Sequence, residues 1–173
     1  MSGKLYLNAL VMYDKQTDSL WSHVLGQAIE GKMKGSKLKA IPALQTTWSN
    51  WKKFHPNTLA LSKEKSPYGI YDSDRYESYY DSPETGLLGP KNFDSRIDPK
   101  ELILGLMAKG KARAYSFSML KENPVINDEL GGIKVLVVFD SASQTGAIFE
   151  RTVLGKILTF SNEQVKSNGL SVI

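Results

Sequence analysis

The sequence predicts an α+β fold, rich in β structure and built as a single domain. Three observations carry that prediction: short apolar runs of strand character recur along the chain, one hairpin pattern occurs twice, and a single tryptophan-bearing stretch has helical spacing.

The first copy of the hairpin pattern is Leu10-Val11-Met12-Tyr13-Asp14, then Thr17-Asp18-Ser19-Leu20-Trp21, then Val24-Leu25-Gly26. The second is Leu136-Val137-Val138-Phe139-Asp140, then Thr145-Gly146-Ala147-Ile148-Phe149, then Val153-Leu154-Gly155. In each, an apolar run ends at an aromatic and an aspartate, a polar turn follows, and a second apolar run closes on Val-Leu-Gly. Two copies are too few for a solenoid, so two related β-hairpins within one domain are expected. Aligned with a one-residue gap, Trp21 corresponds to Phe149 and Tyr13 to Phe139, and His23 falls near Arg151.

In chain order, strands are expected over 5–13 and 19–25 around a polar turn, with a third near 28–29 before Gly31 and Gly35 break the pattern. Thr46-Thr47-Trp48-Ser49-Asn50-Trp51-Lys52-Lys53-Phe54-His55-Pro56 reads as a short helix. Either threonine can cap its start, and Pro56 disfavours a helical His55. Helical spacing puts Trp48, Trp51 and His55 on one side, with Phe54 beside Trp51. Residues 59–61 read as a strand.

Residues 66–99 keep no period and form a long Tyr/Asp-rich loop; its tyrosines argue for packing over disorder. Asp98-Pro99-Lys100-Glu101 resembles a helix start. A strand over 102–107 is nonetheless expected, since Lys109-Gly110 supplies a turn and 112–116 a returning partner. A helical turn at 117–121, a loop at 127–132 and a core strand at 134–139 follow. The expected domain is 1–160, with 161–173 a polar tail.

The composition excludes several classes. With no cysteine, disulfides, thiol nucleophiles and thiolate zinc sites are out. No apolar run approaches the roughly 20 residues that span a bilayer, so membrane insertion is not expected. No export signal opens the chain, and the compartment stays undetermined. Residues 1–66 carry ten Lys against four Asp or Glu, whereas 67–101 carry four basic residues against eight acidic ones. Lys32, Lys34, Lys37 and Lys39 form the densest basic cluster; without a nucleic-acid-binding motif, such a cluster reads as a solvated face, and nucleic acid is not an expected partner.

Met12-Tyr13-Asp14 with Thr17 and Ser19-Leu20-Trp21-Ser22, then Gly35-x-Lys37-Leu38, then Thr46-Thr47-Trp48-x-x-Trp51-Lys52-x-x-His55-Pro56-x-Thr58 resemble a widespread prokaryotic family known only as a domain of unknown function. Ala112-x-Ala114-Tyr115, Val125-Ile126-Asn127-Asp128 and Gly131-Gly132 are similar to its second part. The resemblance implies kinship of fold and carries no established activity. It further implies that this chain matches the C-terminal part of longer members, which are often exported and carry an additional N-terminal segment.

Candidate chemistry rests on few residues. Asp14 and its counterpart Asp140 are expected to bond turn amides. His23 and His55 are the only histidines. A metal site on both, completed by Asp14, Asp72 or Asp81, would have sensible ligands, but no short-range spacing joins them; no metal or other cofactor is therefore expected. Neither a nucleophile elbow nor a phosphate-binding glycine loop is present. The richest constellation is aromatic and acidic: Trp48 and Trp51 on the helix, and Tyr68, Tyr71, Tyr76, Tyr79, Tyr80, Asp72 and Asp81 on the loop.

Two readings follow. The first is a non-catalytic binding or interaction domain that recognises a small polar molecule or a protein partner through an aromatic and acidic cleft, with Trp21, Trp48, Trp51, Tyr80 and Asp81 as contact residues. The second is a hydrolase-type enzyme, with or without a metal, that uses His55 or His23 as base and Asp81 or Asp14 to orient it. The first is preferred, because catalysis needs an arrangement that the sequence does not display.

Overall fold

The computed structural model describes residues 3–61, 76–90 and 94–162. The fold is α+β and rich in β structure: short helices α1 (Trp48–Phe54), α2 (Glu77–Asp81) and α3 (Phe117–Glu122) accompany small antiparallel sheets. The chain divides into two compact units, Met1–Pro42 with Lys63–Ser95, and Ala43–Ser62 with Arg96–Ile173.

The first unit holds a four-stranded meander of β1 (Leu5–Tyr6), β2 (Ala9–Tyr13), β3 (Leu20–Ser22) and β4 (Gln27–Glu30). The continuous strand expected over 5–13 is broken at Leu7-Asn8, where both residues have positive φ and reverse the chain. Asparagine tolerates that region, and the Asn8 amide is then put to use. Its Oδ1 accepts from Leu88 N at 2.8 Å and its Nδ2 donates to Gly89 O at 2.7 Å. Part of the stretch expected as loop is thus held like a paired strand, and α2 lies within it. Tyr68, Tyr71 and Asp72, and the tail beyond Asn162, lie outside the described residues.

The second unit contains hairpin β5 (Ile103–Ala108) and β6 (Lys111–Ser116). It also contains the sheet of β7 (Val125–Leu130), β8 (Ile133–Asp140) and β9 (Thr145–Glu150), and the short pair β10 (Thr152–Val153) and β11 (Lys156–Ile157). Strand β8 is central and buried on both faces, which explains its unbroken apolar run. Val137 and Phe139 pack with Tyr115 and Leu120, while Leu136 and Val138 pack with Ala147 on the other side. Ser116 caps α3 by accepting from Met119 N, and Glu101 accepts from Ser118 N at 2.7 Å. The acidic helix signal at 98–101 therefore serves the start of a helix 16 residues further on.

Two expectations are corrected. Residues 127–132 are not a loop: β7 runs to Leu130, and only Gly131-Gly132 turn. The polar residues misled because each has a fixed partner. Asn127 exchanges two hydrogen bonds with the Phe160 backbone, and Asp128 accepts from Tyr115 Oη at 2.8 Å and pairs with Arg113. Burial, with the Asp128 bond adding to it, pushes the Tyr115 phenol up to about 12. Residues 59–61 are not a strand; none of the described residues pairs with them, and Leu59 and Leu61 are 94% and 95% exposed.

The two polar turns share one construction. Asp14 accepts from the amide and hydroxyl of Thr17, whose Oγ1 lies 2.7 Å from Ser19 Oγ. Asp140 likewise accepts from the amide and hydroxyl of Ser143, whose Oγ lies 2.8 Å from Thr145 Oγ1. Asp18 and Gln144, in equivalent places, both have positive φ. This register equates Ser19 with Thr145, so Trp21 corresponds to Ala147 rather than to Phe149.

Candidate functional site

The site is built on α1, in the second unit. Thr47 is the threonine that caps it, accepting from Asn50 N. That leaves Thr46 for a longer reach: its Oγ1 accepts from Thr145 Oγ1 at 2.7 Å and from Asn50 Nδ2 at 2.9 Å. Through Thr145 the helix start connects to Ser143 and Asp140. At the other end, His55 ends the helix, with its N–H on Trp51 O and its ring 4.0 Å from the Trp51 ring, tilted 32°. The Trp51 indole donates to Thr58 Oγ1 at 3.0 Å. Trp51, His55 and Thr58 of the signature thus fix one another, while its two threonines hold the start of the helix.

These contacts enclose a pit of about 40 Å³, lined by Leu44, Thr46, Asn50, Trp51, Phe54, His55 and Thr145. Its exposed lining is almost wholly carbon, because Thr46, Asn50 and Thr145 turn their polar atoms into one another. Beside it, α1 buries none of its residues: Trp48 is 52%, Trp51 41% and Phe54 42% exposed. The Lys52 ammonium stands 6.0 Å from the centre of the Trp48 ring, at the outer limit of a cation–π contact.

Of the residues expected to act together, Trp48, Trp51 and His55 belong to the second unit, and Asp14, Trp21, His23, Tyr80 and Asp81 to the first. In the first unit, Trp21 Nε1 donates to Asp14 Oδ2 at 2.8 Å. That bond, ahead of the Thr17 contacts and against some desolvation, holds the Asp14 carboxyl below its ordinary value. His23 Nδ1 lies 3.1 Å from Leu10 O. Tyr80 and Asp81 are exposed on α2, the Tyr80 ring 6.2 Å from that of Tyr79. Among the described residues neither histidine is hydrogen-bonded to a carboxylate, and no group of three His, Asp or Glu could hold a metal.

The pit residues Thr46, Asn50, Phe54 and Thr145 were not among the expected contacts. Thr145 lies 99 residues from its partner, beyond any local pattern. The usable signal was Asp-x-x-Ser/Thr-x-Ser/Thr, present at 14–19 and 140–145, which marks Thr145 as a turn residue with a spare hydroxyl.

The pit's support includes a titratable group, Asp140. The Ser143 hydroxyl, then the amides of Ala142 and Ser143 and the charge of Lys53, hold the Asp140 carboxyl below its ordinary value against partial desolvation. A depressed carboxylate stabilises the fold above the unfolded-state value, and that contribution fades as pH falls through the folded-state value. Asp140→Asn should therefore melt below wild type at about pH 7, and the gap should close below about pH 4. Thermal melts of both proteins across that range check it; a gap constant down to about pH 2 would refute it.

A family model described as "Protein of unknown function (DUF3179)" matches residues 1–171. No curated protein and no solved structure matches the chain. No helix among the described residues is long and apolar enough to cross a membrane. With a family match over nearly its whole length, the chain belongs to the DUF3179 family of proteins of unknown function.

Proposed function

We propose that this chain is a non-catalytic interaction domain, and that α1 with its pit is the surface that takes a protein partner. The observation that carries the reading is a helix that exposes two tryptophans and a phenylalanine while its Asn50 amide and Trp51 indole are already hydrogen-bonded. Tryptophan is enriched among residues that dominate binding energy, and an apolar pit beside it suits one anchoring side chain.

The size of the pit beside α1 favours a protein partner at this surface. A pit of about 40 Å³ holds one small aliphatic group, whereas pockets for whole small molecules run to about 300 Å³ or more. The hydrolase reading needs a base oriented by a carboxylate. His55 is instead stacked on Trp51, which favours binding.

The test is selection of a displayed library of random 12-residue peptides on wild-type protein and, in parallel, on Trp51→Ala. Trp51 is substantially exposed, so its truncation should leave a folded protein, verified by circular dichroism. Selected peptides should bind wild type at least about tenfold more tightly than the variant, the loss expected at an interface anchor. Selection of peptides that bind both proteins equally would overturn the reading.

A further inference from the structure

We infer that the partner segment carries a carboxylate beside its apolar anchor, so that α1 reads an acidic, aliphatic stretch of protein; this rests on the reading of α1 as the interaction surface. The inference comes from charge. Residues 43–62, which contribute α1 and much of the pit to the second unit, contain two lysines and no Asp or Glu.

Those lysines are consecutive, Lys52 and Lys53, in the last turn of α1, and their surroundings differ. Lys53 acts electrostatically on Asp140. Lys52 stands over the Trp48 ring and has no ion-pair partner among the described residues. Helical spacing stacks Lys52 on Trp48 and His55 on Trp51, so the ammonium lies on the flank of the aromatic surface. An aliphatic side chain seated in the pit brings its neighbouring residues over that flank. A carboxylate there meets Lys52 with an aromatic face behind it, whereas a partner lysine meets like charge.

The geometry also limits the strength of this preference. An exposed ion pair is modest and screened by salt, so charge selects among partners while the apolar anchor supplies most of the affinity. The site therefore discriminates by repulsion as much as by attraction: basic segments with the same anchor bind more weakly.

The experiment reads the composition of the peptides selected on wild type and dependent on Trp51, then repeats the selection on Lys52→Glu. Asp or Glu should be enriched within two positions of a Val, Ile or Leu on wild type and depleted on Lys52→Glu. In the best peptide, Asp→Asn should weaken binding about two- to fivefold at low salt, a difference that shrinks as salt is raised. Trp51-dependent peptides without acidic enrichment, or enrichment unchanged by Lys52→Glu, would overturn this inference and leave the interaction surface standing. Absence of any Trp51-dependent peptide would overturn both. A Trp51-dependent preference for Lys or Arg beside the anchor would reverse the sign and sink the charge argument alone.

Discussion

Leu120→Ala is expected to lower the stability of the second unit by about 2–5 kcal/mol. Leu120 is fully buried, in a cluster with Tyr115, Val137 and Phe139, and it is the one buried residue of α3. Helix α3 has only six residues, too few to persist on intrinsic propensity, so its place over β6 and β8 depends on that side chain. Truncation removes transfer free energy and leaves a cavity among Tyr115, Val137 and Phe139. Because the chain has two compact units, a single melting temperature is the wrong reading. Native-state hydrogen exchange at the β8 amides isolates the effect: their protection should fall by the full amount while that of β2 and β3 holds. Unchanged protection of Val137 and Phe139 would refute the assignment of this cluster as the core.

Gly31→Ala should have the next largest effect, about 2–3 kcal/mol on the first unit. Gly31 has φ +90°, and a Cβ there would lie 2.8 Å from both Cα and Oγ of Ser19. Ser19 cannot yield: it is fully buried, with its Oγ accepting from Met33 N and bonded to Thr17 Oγ1. Gly35 separates the two causes, since it has φ +87° with open space around a built Cβ. Gly35→Ala carries only the conformational cost, about 1 kcal/mol. Native-state hydrogen exchange at the β2 and β3 amides compares the pair, and equal losses would mean that Ser19 and Gly31 are not in contact.

How far the sequence reveals this molecule depends on whether the cause is local. The roles of Asp14 and Asp140 in their turns were legible because each bonds amides within three residues, whereas the pairing of Thr17 with Ser143 was missed because a threonine recurs two places later at Thr145. The hairpin at Lys109-Gly110 was legible because a glycine permits the left-handed turn. Val125–Leu130 was misread because polar residues in a strand look like a loop until their partners are known; Phe160, Arg113 and Tyr115 supply them from other elements. The helix of the candidate site was legible by its cap, its tryptophans and Pro56. Its pit was not, because Thr145 and Thr46 meet only through tertiary structure.

That meeting sets an order of events. Among the described residues every sheet joins strands that are neighbours in sequence, so each hairpin can zip as soon as its own residues are free, without waiting for a remote partner. The chain nevertheless leaves the first unit after Pro42, contributes α1 to the second, and returns at Lys63. Seating α1 means closing a loop of 99 residues onto the β8–β9 turn, an entropic step the hairpins never face. During synthesis the aromatic helix emerges long before Thr145 is made, so its tryptophans stay undocked for that interval. The surface proposed for recognition is complete only once the β8–β9 turn is in place.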